Sequence, residues 1–286
     1  MISSQQSDTS TQAVNPAIRP DTYQFLCDYI HRESGILLGE DKHYLIEARL
    51  LPLVHQSHLE SLDALCEALR DGVSPPLRKR VVEAMATHET LFFRDAAPFE
   101  ALRTSILPKL LEERKLTRKL VFWSAAASSG QEAYSLAMLL LEMGLSSWNI
   151  QILGTDISEP ILARARQGRY MQIEVNRGLP APYLVKYFER HGLEWQIKDP
   201  VRQMVKFEQF DLRASMKSKG PFDAIFCRNV LIYFDVETKK KILSELRGAL
   251  VRGGLLLLGG AETTLNLDEC FTRATHGRAV VYQAPW

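Results

Sequence analysis

The residues of this sequence best placed to do chemistry follow short apolar runs. Leu120–Ala125 (LVFWSA) leads into Ala126, Ala127, Ser128, Ser129, Gly130, Gln131 and Glu132. Small side chains let a backbone approach a ligand closely, and Gly130 can adopt a positive φ. A tight structural turn accounts for the same residues equally well. The full G-x-G-x-x-G is missing, so a dinucleotide is not supported. Asp156 follows the run Ile150–Thr155, and a carboxylate there accepts hydrogen bonds from both hydroxyls of a ribose. Its competing role is capping the next helix; Ser158 is read as that cap, which favours ribose. Phe222–Cys227 is followed by Arg228, Asn229 and Tyr233, polar and aromatic groups at a strand end. No P-loop lysine motif is present, which argues against phosphoryl transfer from a nucleoside triphosphate. His55 and His58 stand three apart without further ligands, so no metal site is expected.

Repeated strand–helix units must position these groups. Gln131–Met143 reads as a helix ended by Gly144, and Ser158 with Pro160 opens another. Asp235 reads as the N-cap of a helix through Leu250, closed by Gly253–Gly254, before a strand at Leu255–Leu258. His276–Gly277 reads as the turn of a hairpin between Phe271–Thr275 and Ala279–Tyr282. Apolar strands alternating with helices imply a mostly parallel sheet covered on both faces. Gly168–Met204 breaks that rhythm. Within it, Trp195–Ile197 and Val201–Val205 around Lys198–Asp199–Pro200 suggest a hairpin in an inserted β-subdomain. Before residue 90 the pattern is helical, with Phe25, Leu26, Tyr29 and Ile30, then Leu62, Leu65, Cys66 and Leu69, at helical spacing.

The 286 residues suffice for one large domain or a small and a larger one, and the net charge of +1 provides no strong field toward nucleic acid or an anionic membrane. Cys27, Cys66, Cys227 and Cys270 are far apart, which suits a reducing cytoplasm. Met1–Pro20 is rich in Ser, Gln and Thr, lacks a signal-peptide core and reads as a disordered tail. No apolar stretch is long enough to span a bilayer.

Four motifs occur together and in order: THETLFFR (Thr87–Arg94), WSAAASSGQEAYS (Trp123–Ser135), GTDIS (Gly154–Ser158) and FDAIFCRNVLIYF (Phe222–Phe234). In this set the chain resembles the chemotaxis receptor methyltransferase family, CheR. The resemblance covers nearly everything after the tail. It implies an α/β chain: a small all-helical N-terminal domain (21–88), a linker and connecting helix (89–118), and an S-adenosylmethionine-dependent, Rossmann-like methyltransferase sheet (119–286). An antiparallel β-subdomain is inserted at about 168–204.

The resemblance also implies roles. Arg94 and Tyr233 correspond to the residues that position the substrate and the reacting methyl. His88, Thr90, Arg94, Glu132, Asp156, Asp211, Leu212, Arg228 and Asn229 correspond to the cofactor site, with Asp211–Leu212 near the adenine and Arg228–Asn229 near the methionine part. Several positions depart from the family pattern. His88 and Asp211 replace Asn, Ser-Ser-Gly-Gln-Glu-Ala replaces Ser-Thr-Gly-Glu-Glu-Pro, and Gly259–Gly260–Ala261–Glu262 replaces Gly-His-Ser-Glu. Arg94, Asp156 and Tyr233 remain, so activity is expected.

The implied reaction is attack of a receptor glutamate carboxylate on the methyl of S-adenosylmethionine, leaving S-adenosylhomocysteine. The implied partner is the cytoplasmic helical domain of chemotaxis receptors, met by a cytoplasmic monomer without nucleic acid or membrane insertion. His191–Val201 is short compared with members that bind a receptor's C-terminal pentapeptide, so no such dependence is expected. The basic run Leu77–Arg78–Lys79–Arg80 is read equally as a receptor-facing patch or a solvated helix face. Two rival readings are a non-catalytic cofactor- or receptor-binding module, and a nucleic-acid methyltransferase. The latter needs an N/D-P-P-Y/F-type motif where this chain has Arg-Asn-Val-Leu.

Overall fold

Helically spaced apolar residues build the first of two units, drawn from the chain up to Tyr29 and from Gly39–Met85. The computed structural model describes residues 18–72 and 75–286. Helices α1 (Pro20–Ser34), α2 (His43–Gln56), α3 (Leu62–Arg70) and α4 (Pro75–Met85) supply this unit, α1 continuing past Tyr29 into the second. Leu26, Ile46, Leu50, Leu65, Val81 and Met85 are buried. Ser61 caps α3, its side chain accepting from the Ala64 N–H at 3.1 Å. The tail expected over Met1–Pro20 lies outside the described residues as far as position 17, and Pro20 already opens α1.

The second unit comprises Ile30–Leu38 and Ala86–Trp286. It begins with α5 (Ala96–Ala101), a π-helical turn at Leu102–Ile106, and α6 (Leu107–Glu113). Then come β1 (Lys119–Ala125), α7 (Gln131–Glu142), β2 (Asn149–Asp156) and α8 (Glu159–Gln167). The insertion holds β3 (Arg169–Met171), α9 (Gln172–Val175), α10 (Ala181–Tyr187), β4 (Phe188–His191), β5 (Glu194–Ile197) and α11 (Asp199–Arg202). The chain closes with β6 (Val205–Gln209), β7 (Phe222–Cys227), α12 (Val236–Ala249), β8 (Leu250–Leu258), β9 (Thr272–His276) and β10 (Ala279–Gln283).

The main sheet has the order β6-β2-β1-β7-β8-β10-β9, parallel from β6 to β8 and antiparallel at β10 and β9. Alternation along the strands sends Phe122, Ala224, Phe226 and Leu257 into one core and Trp123, Ala125, Ile225, Cys227, Leu256 and Leu258 into the other. From β1 the chain winds outward through β2 to β6, then restarts at β7 on the opposite side. The strand order therefore reverses between β1 and β7, and a ligand crevice opens beyond their carboxyl ends. The register aligns those ends: Ala125 pairs with Thr155 and Cys227, and Cys227 with Leu258.

The insertion is a three-stranded antiparallel sheet of order β3-β5-β4. The expected hairpin around Lys198–Asp199–Pro200 is not formed. Trp195–Ile197 belongs to β5, which pairs with β4 across a turn at Gly192, while Asp199–Arg202 is helical. Val205 opens β6 in the main sheet. Pro200 sits in the first turn of α11, where its missing N–H costs nothing, and the short helix buries Val201. Beyond α12, Leu250 already opens β8, so the strand starts earlier than the Leu255 expected.

Candidate active site

The crevice is lined by segments that leave the sheet at the carboxyl ends of β1, β2, β6 and β7, together with Ser34, Ile36, Ala86 to Thr90, and Arg94. All ten residues singled out from the sequence line it: His88, Thr90, Arg94, Glu132, Asp156, Asp211, Leu212, Arg228, Asn229 and Tyr233. It is a cleft of about 920 Å³ including its open mouth. Five non-glycine residues around it hold positive φ: Phe93 (48°), Asp95 (55°), Ala126 (65°), Ser128 (51°) and Asn229 (57°). Such conformations cost free energy and persist only where neighbours enforce them.

Those neighbours can be named. After β1, Ser128 donates its N–H to Asp156 Oδ2 at 2.9 Å and its hydroxyl to the His88 carbonyl at 3.0 Å. Asp156 also accepts from the Ser158 N–H at 3.0 Å. The Ser158 side chain makes no capping bond to α8, so Asp156 itself supplies an acceptor at that helix start, contrary to the expected division of labour. Each carboxylate oxygen then has one of these donors, the Ile157 N–H adds a third and weaker contact, and the carboxylate keeps acceptor capacity. Burial pushes this carboxyl above the ordinary aspartate value, opposed by the backbone N–H groups and by His88.

Asp211 is committed differently. Its carboxylate pairs with Arg213, Nη2 to Oδ2 at 2.7 Å and Nε to both oxygens at 3.1 Å. Arg213 also donates to the carbonyls of Arg32 and Glu33, capping the carboxyl end of α1. Phe210, Leu212, Ile157 and Ile36 give this end of the crevice an apolar lining.

At the other end Arg228 is sealed, its side chain 2% exposed. Nη1 reaches Glu132 Oε2 at 2.9 Å; Nη2 reaches Asp95 Oδ2 and the Arg94 carbonyl, each at 2.8 Å. Glu132 Oε1 accepts from the Ser124 hydroxyl at 2.8 Å. Glu132 and Arg228 thus turn their charges on each other. Two buried atoms in this corner, Arg228 Nε and Asn229 Oδ1, have no hydrogen-bond partner.

Arg94 is half-buried, and its Nη1 donates to the Glu89 carbonyl at 3.0 Å. No carboxylate pairs with it among the described residues. The turn that carries it is buttressed from below. The Phe93 N–H donates to Ser135 Oγ at 2.9 Å, and the Phe92 ring packs edge-on against Tyr170 and Phe188 of the insertion. Gly178, at φ +88°, lets the chain pass so close that an added Cβ would lie 2.1 Å from the Phe92 carbonyl oxygen. Tyr233 ends a 3-10 turn, and its carbonyl accepts from the Leu37 N–H at 2.9 Å.

Asp95, Gly178 and Arg213 are not among the residues the sequence singles out, and Glu262 is named there only as part of a motif, without a role. Arg213 had a faint signal, a cation two residues from a candidate acid. The others act through loops that meet only in the fold.

Comparison with known proteins agrees with this architecture. Residues 88–280 match the family model described as CheR methyltransferase, SAM binding domain, and residues 21–86 match CheR methyltransferase, all-alpha domain. The chain is 38% identical over 262 residues to chemotaxis protein methyltransferase Cher2 of Pseudomonas putida, covering 90% of this chain and 95% of the relative. It is 39% identical over 262 residues to chemotaxis protein methyltransferase 1 of Pseudomonas aeruginosa, with the same coverage of 90% and 95%. Against chemotaxis protein methyltransferase 1 of Vibrio cholerae it is 38% identical over 272 residues, 93% of this chain and 98% of the relative.

Proposed function

The chain belongs to the CheR methyltransferase family, whose cofactor is S-adenosylmethionine, and from that premise we propose that it methylates glutamate side-chain carboxylates of chemotaxis receptors. The products are glutamate methyl esters and S-adenosylhomocysteine. The observation that carries this reading is Arg94: in a cleft where Arg228 and Asp211 are already paired, its guanidinium has no carboxylate partner among the described residues.

The residues present fit the cofactor. Asp156 keeps acceptor capacity for a ribose diol, and Asn229 Oδ1 is a buried acceptor without a donor, suited to an ammonium group. Phe210, Leu212, Ile157 and Ile36 offer an apolar bed for adenine. The nearby carboxylate of Asp156, which no cationic side chain bonds among the described residues, suits a cation. When bound, S-adenosylmethionine supplies an electrophilic methyl group on a sulfonium that departs as a neutral thioether.

The protein's own task is alignment. A glutamate with a pKa of about 4.3 is ionised at neutral pH, so no residue has to remove a proton. Arg94 holds one carboxylate oxygen and leaves the second free as the nucleophile. Tyr233 borders the same space and aligns the reacting groups. The fixed dipoles of the cleft stand in for water around the nucleophile. No described helix is long and apolar enough to cross a membrane, and we assign the work to the cytoplasmic helical domain of receptors, approached by a monomer in the cytoplasm.

The test uses cofactor labelled in its methyl group, mixed with chemoreceptor signalling fragments. Label on the receptor that alkali releases as methanol is the expected result. Transfer that resists alkali, or no transfer despite cofactor binding, overturns the reading.

A further inference from the structure

Beyond β8 a carboxylate that is not part of the main crevice's lining takes no part in the chemistry above. Glu262 accepts four backbone N–H bonds: Gly259 and Asn229 to Oε2, both at 2.7 Å, and Val230 at 2.9 Å and Leu231 at 2.7 Å to Oε1. Its own N–H donates to the Gly259 carbonyl at 2.9 Å, closing a turn. Three successive N–H groups turned toward one anion form a concave nest, here filled by the protein's own side chain. The nest fixes Asn229 in its left-handed conformation, φ 57°. The 3-10 turn to Tyr233 grows directly out of it, with the Tyr233 N–H donating to the Val230 carbonyl at 3.2 Å. Gly259 leaves room for this arrangement: an added Cβ would lie 2.7 Å from both Asn229 Nδ2 and Glu262 Oε2.

We propose that Glu262 is a positioning residue, whose carboxylate sets the Asn229–Leu231 turn and, through it, the placement of Asn229 and Tyr233. This rests on reading the cleft as a methyl-transfer site. Four charge-assisted bonds hold a strained turn that bare backbone would leave. The neutral amide of Glu262→Gln keeps one acceptor oxygen and turns an NH₂ donor toward N–H groups, so part of the nest loses its partner.

The test is made on the full chain. Glu262→Gln is expected to lower turnover at saturating receptor and cofactor by about 10²-fold per folded molecule, the scale of a 1 Å misplacement. Affinity for S-adenosylhomocysteine, read by calorimetry, is expected to fall by no more than about tenfold, the worth of one lost hydrogen bond. Amide exchange at 229–231 is expected to quicken. Lower stability with unchanged turnover per folded molecule would show a structural role only and overturn the proposal. If Glu262→Gln does not fold, Gly259→Ala keeps the carboxylate and disturbs the nest from the other side; normal turnover in that variant also overturns it. If the wild type methylates no receptor fragment, the functional reading fails instead. The exchange measurement still decides the role of Glu262, and rates at 229–231 equal to wild type would refute it.

Discussion

Arg94 and Arg228 line one cleft and have opposite surroundings. Arg228 is sealed against Glu132 and Asp95, while Arg94 is half-buried, bonded to one backbone carbonyl and paired with no carboxylate among the described residues. The two are linked, because Arg228 Nη2 donates to the carbonyl of Arg94. The difference teaches a division of labour. A cation that must hold a substrate's carboxylate has to be left without one, and a second cation, paired with two carboxylates, holds the strained turn that presents it. Burying Arg228 is tolerable because two carboxylates answer it; a lone buried guanidinium would be costly.

The comparison breaks first at Arg94. Arg94→Ala is expected to lower turnover by about 10³-fold, the scale of losing one preorganised transition-state contact. Stability and S-adenosylhomocysteine affinity should stay near wild type. Near-normal turnover would remove Arg94 from its role. Arg228→Met should behave in the opposite manner, costing about 3–5 kcal/mol of stability in urea unfolding because Glu132 is left as a largely buried, unanswered charge. Turnover would fall with it as the Arg94 turn relaxes. A variant as stable as wild type would show that the sealed cluster contributes no net support.

The fold is legible in the sequence where one segment decides the outcome. Leu120–Ala125 and Phe222–Cys227 are short apolar runs bounded by turn residues and became β1 and β7 with little change. The hairpin about His276–Gly277 and the Asp235 cap were equally local. It is not legible where segments distant in sequence meet. Nothing near Glu132 announces Arg228, and nothing near Glu262 announces the amides of Asn229–Leu231. Val201–Val205 misled because a brief apolar run fits either period, and Pro200 decided for a helix start. All ten candidate residues were placed in the crevice, but Glu132, Arg228 and Asp211 spend their charges on protein partners that spacing alone did not suggest.

Asp156 sharpens the contrast on the cofactor side. Unlike Asp211, whose carboxylate is taken by Arg213, Asp156 is held by backbone N–H donors alone and keeps acceptor capacity. Asp156→Ala is expected to weaken S-adenosylmethionine binding by about tenfold or more, at least one charge-assisted hydrogen bond to the ribose. Asp211→Ala should act mainly on the packing of Arg213 and α1. Equal affinity losses by calorimetry would erase the distinction between the two acids.

The smallest effect is expected outside the cleft, at Asp235. Its Oδ1 accepts from the Thr238 N–H at 2.8 Å to cap α12, and its Oδ2 lies 2.8 Å from His31 Nε2. The backbone bond from Thr238, then the bond from His31, hold the carboxyl down at about 2. A carboxyl whose folded pKa is lowered adds stability that is present above its unfolded value of about 3.9 and is lost as pH falls through the folded value. Asp235→Ala should therefore cost about 1 kcal/mol at neutral pH, the usual worth of an N-cap. That deficit should shrink between about pH 4 and pH 2 as the wild type protonates. Urea unfolding of both proteins at neutral pH and near pH 3 measures it. A deficit that stays constant down to pH 2 would mean the cap acts through its shape rather than its charge. A turnover loss like that of Arg94→Ala would mean that the contrast between open and sealed charges reaches beyond the cleft.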